Sequence, residues 1–212
     1  MLMEGGVLVL TLGLCGGSGT GKTTAQAAFC EAGIAGLDTD LLYHKLISGD
    51  TPLSRTLITT FGEGIRAAEG GIDRRALAGL VFGSPEADAR RLTLNRITHA
   101  EVLRECRAFL DAERKAGAFA AVINAPLLFE SGFAEECDIT VAILAPRDVR
   151  IARIVARDGI TPEEAARRID SQLSDDFLTK RTTYQIHNDG SEAELRQAVA
   201  ALINKIKNRT EE

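Results

Sequence analysis

No CxxC pair occurs in the chain, and its four cysteines, Cys15, Cys30, Cys106 and Cys137, are widely scattered. That spacing points away from a zinc site or a disulfide framework and fits a reducing compartment. Positive charge is not in excess either: 25 Lys and Arg stand against 30 Asp and Glu, a net charge of −5. This balance argues against non-specific binding to nucleic acid or to an anionic membrane. No apolar run is long enough to span a bilayer. Glu4, with no lysine or arginine, precedes the first apolar run, so no secretory signal is expected and the cytoplasm is the expected location. Internal repeats and low-complexity linkers are missing as well. What is present is the profile of a soluble globular protein, 45% hydrophobic and 26% charged, and 212 residues can bury a real core as one domain.

The apolar segments alternate with helical patterns. Val7–Leu14 is a continuous apolar run, as expected of a strand buried on both faces of a parallel sheet. Thr23–Ala32 reads as a helix stopped by Gly33, and Ile34–Leu37 as a short strand ending at Asp38-Thr39-Asp40. Ala118–Asn124, Ile139–Leu144 and the weaker Tyr184–His187 complete five strands, so an α/β fold with a mainly parallel sheet is predicted. From about residue 41 to 117 no strand pattern appears. Helix starts are marked instead by Asp73, by Ser84-Pro85 and by Thr98, the last opening a helix that ends near Gly117. A second helical insertion runs from about 146 to 182 and contains the capping box Thr161-Pro162-Glu163-Glu164. The last helix opens on a box from Ser191 to Glu194, with Leu195, Val199, Leu202, Ile203 and Ile206 facing the sheet.

Gly16-Gly17-Ser18-Gly19-Thr20-Gly21-Lys22-Thr23 fits G-x-x-x-x-G-K-[ST] between a strand and a helix. Glycines let consecutive backbone N–H groups converge on phosphate oxygens, and the positive end of the following helix points at them. Lys22 can reach the β- and γ-phosphates, and the Thr23 hydroxyl can ligate Mg²⁺. The loop alone does not separate kinase, GTPase, ATPase motor and nucleotide switch. No N-K-x-D element accompanies it: Asn204-Lys205-Ile206-Lys207 lacks the aspartate. The third strand ends Val122-Ile123-Asn124-Ala125, without the acid an ATPase motor uses to hold Mg²⁺. A small kinase whose acid lies elsewhere fits best. Asp38-Thr39-Asp40 supplies carboxylates at a strand's carboxyl end, where parallel sheets bind ligands. Such a group can accept a hydroxyl proton, and it can equally cap the helix from Leu41. Arg147, Arg150, Arg153 and Arg157 share one helix face. They read either as a solvated stripe or as a lid that neutralises the migrating phosphoryl group, with Arg157, beside Asp158-Gly159, best placed.

With these residues identified, the chain resembles the dephospho-coenzyme A kinase family over about residues 8–206. Gly13 to Thr23 is similar to that family's G-L-T-G-G-I-G-S-G-K-S, and Leu37-Asp38-Thr39-Asp40 to its I-D-A-D. Pro126-Leu127-Leu128-Phe129-Glu130 matches P-L-L-F-E, and Arg157-Asp158-Gly159 falls on the lid's R-D-G. Gln172-Leu173 and Asn188-Asp189-Gly190-Ser191 resemble later segments, the second near the adenine. The departures are Cys15 for Thr and Ser18 for Ile in the glycine loop, which works through its backbone, His99-Ala100 for His-Pro, and Lys180-Arg181-Thr182-Thr183 before the fifth strand. The resemblance implies one P-loop domain of the nucleoside monophosphate kinase-like fold over 7–206. Its core would be about 7–40, 118–145 and 183–206, with a substrate-binding insertion at about 41–117 and a lid at about 146–182. It further implies ATP and Mg²⁺ as cofactors and dephospho-coenzyme A as acceptor. ATP would lie on Gly17, Ser18, Gly19, Thr20, Gly21, Lys22, Thr23, Thr24 and Asn188, with Thr23 on the metal. Asp38, His99, Leu127, Leu128, Phe129 and Glu130 would bind the acceptor. Asp40, Lys22 and Arg157 would act in catalysis. A kinase for nucleosides or their monophosphates, and a nucleotide-binding regulator without acceptor chemistry, remain as alternatives.

Overall fold

The computed structural model describes residues 9–82 and 87–210. Its order is β1 (Leu10–Cys15), α1 (Lys22–Glu31), β2 (Ala35–Asp38), α2 (Thr39–Ile47), α3 (Pro52–Phe61), α4 (Arg74–Val81) and α5 (Ala87–Lys115). It continues with β3 (Ala120–Asn124), β4 (Ile139–Leu144), α6 (Arg147–Asp158), α7 (Pro162–Asp170), α8 (Asp175–Arg181), β5 (Tyr184–His187) and α9 (Glu192–Thr210). The strands form one sheet in the order β2-β3-β1-β4-β5, with β1 parallel to both β3 and β4, and β4 parallel to β5. Parallel neighbours need crossover connections, and α-helices lie between successive strands except β3 and β4, which only a 3₁₀ turn at Phe133–Glu136 separates. The five predicted strands all appear; Val7 and Leu8, expected in the first, lie outside the described residues.

Two-residue periodicity decides what each face of β1 meets. Leu12 and Leu14 join Phe29 of α1, Val141 and Ile143 of β4, and Leu195, Val199, Leu202, Ile203 and Ile206 of α9 in one buried cluster. Gly13 faces the other way, where an added Cβ would meet Cys137 Sγ at 2.7 Å and Leu128 Cδ2 at 2.9 Å. The box predicted at Ser191 forms: Glu194 N–H donates to Ser191 Oγ at 3.3 Å, and Ser191 N–H to Glu194 Oε2 at 2.6 Å. The box at Thr161 forms as well.

The chain divides into two compact units, Asp38–Phe109 and the remainder on either side of it. Asp38–Phe109 has its own core, in which Ile47, Leu53, Leu57, Ile65, Leu77 and Val81 are buried. Asp73 caps α4 as its position predicts, accepting from Arg75 N–H at 2.9 Å and Ala76 N–H at 3.0 Å. One expectation fails here. Thr98 does not open a helix; it sits inside the 29-residue α5, buried, with its hydroxyl donating to Leu94 O at 2.9 Å. A threonine that bonds back to the carbonyl four residues earlier satisfies its hydroxyl without ending the helix. The start expected at Ser84-Pro85 lies outside the described residues. Thr51 caps α3 through Ser54 N–H at 3.0 Å, in a reciprocal box. Replacing Thr51 with alanine is expected to cost about 1 kcal/mol of stability, read from the urea midpoint, with the circular dichroism spectrum retained.

Candidate active site

The chain leaves β1 at Cys15 and turns into α1 through the glycines. Gly16 has φ 142°, and a Cβ there would lie 2.4 Å from Ile143 O. Gly21, the N-cap of α1, is left-handed at φ 96°, and its Cβ would meet Asn188 Nδ2 at 2.3 Å. Only glycine suits either position. Helix α1 starts with no side-chain cap bond and no acid in its first turn, so its positive end is available to an anion. Lys22 Nζ donates to Gly16 O at 2.7 Å and Gly17 O at 3.2 Å, which lays the ammonium over the loop. Thr20 is buried and spends its hydroxyl on Gly17 O at 2.9 Å, so within this structure it shapes the loop. Thr23 is exposed and Thr24 half-buried in the first turn of α1.

The loop is held from behind by side chains that sequence reading did not assign to it. Arg150 Nε donates to Ser18 O at 2.9 Å, Arg153 Nη1 to Gly19 O at 3.3 Å, and Asn188 Nδ2 to Thr20 O at 2.7 Å. Gln172 Oε1 accepts from Ser18 N–H at 2.9 Å while its Nε2 donates to Ser18 Oγ at 3.0 Å. Asn188, expected beside the adenine, is buried, and its amide is committed to the loop backbone. The arginine stripe is therefore split in character. Arg150 is buried behind the loop. Arg147 is exposed and pairs with Asp170 of α7 at 2.5 Å. Arg157 is exposed and bidentate to Asp158, at 2.7 and 2.9 Å, and Arg168 pairs with the same carboxylate. Hydrogen bonds from Arg157 and then Arg168 hold the Asp158 carboxyl far below the usual carboxylate range.

A cavity of about 90 Å³ opens beside the loop, lined among others by Gly16, Gly17, Leu127, Phe129, Glu130 and Gln172. Leu127 is 49% exposed, whereas Leu128 is fully buried against Gly13. Leu128 packs beside Gly13 in the core, and the residues that line this cavity are its neighbours Leu127 and Phe129 rather than Leu128 itself. Phe129 meets Phe177 of α8 edge to face, with ring centroids 5.5 Å apart. Cys15 also borders the cavity. Burial, opposed by Lys22 and reinforced by Glu130, pushes its thiol up to about 12, which disfavours the thiolate form.

In the unit Asp38–Phe109, Asp38 is the cap of α2: its Oδ1 accepts from Asp40 N–H at 2.9 Å and Leu41 N–H at 3.0 Å. Asp40 follows in the first turn, exposed to solvent. His99 is half-buried in α5. Among the described residues no cluster of three His, Cys, Asp or Glu could hold a metal. The Thr23 hydroxyl, exposed in the first turn of α1, is an oxygen donor of the kind that Mg²⁺ accepts. The departure at Lys180–Thr183 is anchored locally: Thr183 N–H donates to Thr140 Oγ1 at 3.0 Å, and Thr140 N–H to Thr183 Oγ1 at 3.2 Å.

A family model for dephospho-CoA kinase matches residues 10–194. A dephospho-CoA kinase of Symbiobacterium thermophilum is 35% identical over 190 residues, covering 90% of this chain and 78% of that one. A crystal structure from Thermus thermophilus superposes with a TM-score of 0.77 at 31% identity, over 93% of this chain and 97% of its own. Dephospho-CoA kinase from Campylobacter jejuni gives 0.69 at 25% identity, over 94% and 98%.

Proposed function

The chain belongs to the dephospho-CoA kinase family, and on that premise we propose that it moves the γ-phosphoryl group of ATP to the ribose 3′-hydroxyl of dephospho-coenzyme A. The acceptor oxygen forms a bond to the γ-phosphorus, the bond to the β-phosphate oxygen breaks, and ADP leaves. The observation that carries the reading is the loop itself: an uncapped helix end, glycines no other residue could replace, and Lys22 laid over Gly16 and Gly17. Loop amides and Lys22 hold the donor phosphates. Thr23, exposed in the first turn of α1, would ligate Mg²⁺, which neutralises phosphate charge when bound. Asp40 takes the hydroxyl proton, and Asp38 positions it through the cap bond to its amide. Leu127, Phe129 and Glu130, which line the cavity, bind the acceptor in this reading, and the family resemblance gives His99 the same task. The four cysteines are thiols, in keeping with a cytoplasmic setting.

The test is mass analysis of the products after incubation with ATP, Mg²⁺ and dephospho-coenzyme A. Phosphorylated acceptor and ADP in equal amounts are expected. ADP release that ignores the acceptor, or that responds only to a nucleoside or its monophosphate, would overturn the reading.

In this reading Arg157 exchanges its partner Asp158 for the migrating phosphoryl group as the lid closes. Arg157→Ala should therefore lower kcat by about a hundredfold while ATP binding changes little. Arg157→Lys keeps the charge without the planar fork and should recover only part of the loss. Arg147→Ala, which removes an exposed ion pair with Asp170, should leave kcat unchanged. Steady-state kinetics of the three variants check this, and equal effects at 147 and 157 would remove Arg157 from the mechanism.

A further inference from the structure

Gly17 poses a question the phosphate-binding motif does not answer. The motif demands glycine at 16 and 21 but not at 17, and the φ of Gly17 lies outside the left-handed region. What excludes a side chain is Arg150: a Cβ on Gly17 would stand 2.0 Å from its Nη2 and 2.9 Å from Gln172 Oε1. Gly19 differs: its φ of 78° already calls for glycine, and its Cβ would lie 2.8 Å from the backbone oxygen of Arg150. At position 17 the loop is thus cut to fit a guanidinium.

That guanidinium is 4% exposed and uses its fork in three directions. Nε donates to Ser18 O at 2.9 Å, Nη1 to Asp175 Oδ1 at 3.1 Å, and Nη2 to Gln172 Oε1 at 3.2 Å. Gln172 in turn grips Ser18 at both its N–H and its hydroxyl. Every described peptide is trans, so within the planar Ser18–Gly19 unit the carbonyl and the N–H point in opposite directions. Drawing Ser18 O back toward Arg150 therefore turns the Gly19 N–H to the loop's other side.

We infer that Arg150 is a positioning residue for the donor phosphates, acting through the Ser18–Gly19 peptide, with Asp175 and Gln172 holding its guanidinium in plane. It does not touch the nucleotide. The inference rests on the reading of this loop as the ATP site. Lysine cannot substitute, because a single ammonium on a flexible stem does not reach three acceptors in one plane. Asp175 belongs to α8 and Arg150 to α6, so the lid insertion supplies both the brace and its counter-charge.

The experiment uses the full chain and measures ATP binding by calorimetry, together with kcat and the KM of dephospho-coenzyme A. Arg150→Lys should weaken ATP by about tenfold to a hundredfold, the scale of a lost charged hydrogen bond. The acceptor KM should stay within about twofold. Gly17→Ala, which displaces the guanidinium without removing it, should give a loss of similar size, and the double variant should be little worse than either single one. Asp175→Asn, altered at a partly exposed partner, should weaken ATP several-fold in the same direction, and it keeps the question decidable if Arg150→Lys fails to fold. A merely structural role would lower Tm in these variants and leave the ATP Kd measured well below Tm unchanged. That result, or strict additivity of Gly17→Ala and Arg150→Lys, would overturn the inference while the ATP site stands. A wild-type chain that does not bind ATP would overturn both.

Discussion

Lys22→Ala is expected to lower turnover about a thousandfold while the chain stays folded. The side chain contributes nothing to the core: its ammonium lies on Gly16 O and Gly17 O at the mouth of the loop. Phosphoryl transfer depends mainly on placing the phosphates and neutralising the charge that develops on them, and alanine removes the only cation the loop sequence itself carries. ATP affinity should fall too, because the lysine acts on ground-state phosphates as well as in the transition state. Rates at saturating ATP, with circular dichroism as the folding control, check the outcome. Activity within tenfold of the parent would take the loop lysine out of the mechanism.

Asp40→Asn is expected to lower the chemical step by about 10²- to 10⁴-fold with ATP binding retained. Asparagine is near-isosteric but cannot accept the hydroxyl proton. The comparison with Asp38→Asn gives the prediction its edge. Asp38 works through one oxygen that accepts from Asp40 N–H and Leu41 N–H, and an asparagine carbonyl can do the same. Asp38→Asn should therefore be mild, whereas Asp40, exposed in the first turn of α2, is the residue to which the proposed mechanism gives the proton. Single-turnover rates with pre-bound ATP separate the two, and greater sensitivity at Asp38 would reverse the assignment.

Several boundaries were legible in the sequence because local physics decides them. Asp73, Thr161 and Ser191 cap helices where their side-chain oxygens meet backbone N–H groups two or three residues on, a relation contained within one turn. Thr98 shows the limit of that reasoning. The same residue type that starts a helix is tolerated within one when its hydroxyl finds the carbonyl of Leu94, and only the continuation of α5 on both sides distinguishes the cases.

The sequence by itself determined the strand–glycine–helix unit, the five strands, and the candidate residues Lys22, Thr23, Asp38 and Asp40. Each of these follows from hydrophobic period, glycine conformation or a short motif, all readable within a few residues. Only the tertiary structure decided which arginine of a regular stripe is buried and what it does there. Arg150 and Ser18 are 132 positions apart, and Asn188 and Thr20 are 168 apart. Helical spacing placed Arg147, Arg150, Arg153 and Arg157 on one face, but the packing of α6 behind the loop turned two of them inward and left two in solvent. The same packing explains the glycine at 17, whose cause is a guanidinium more than a hundred residues away and therefore outside the reach of any local rule.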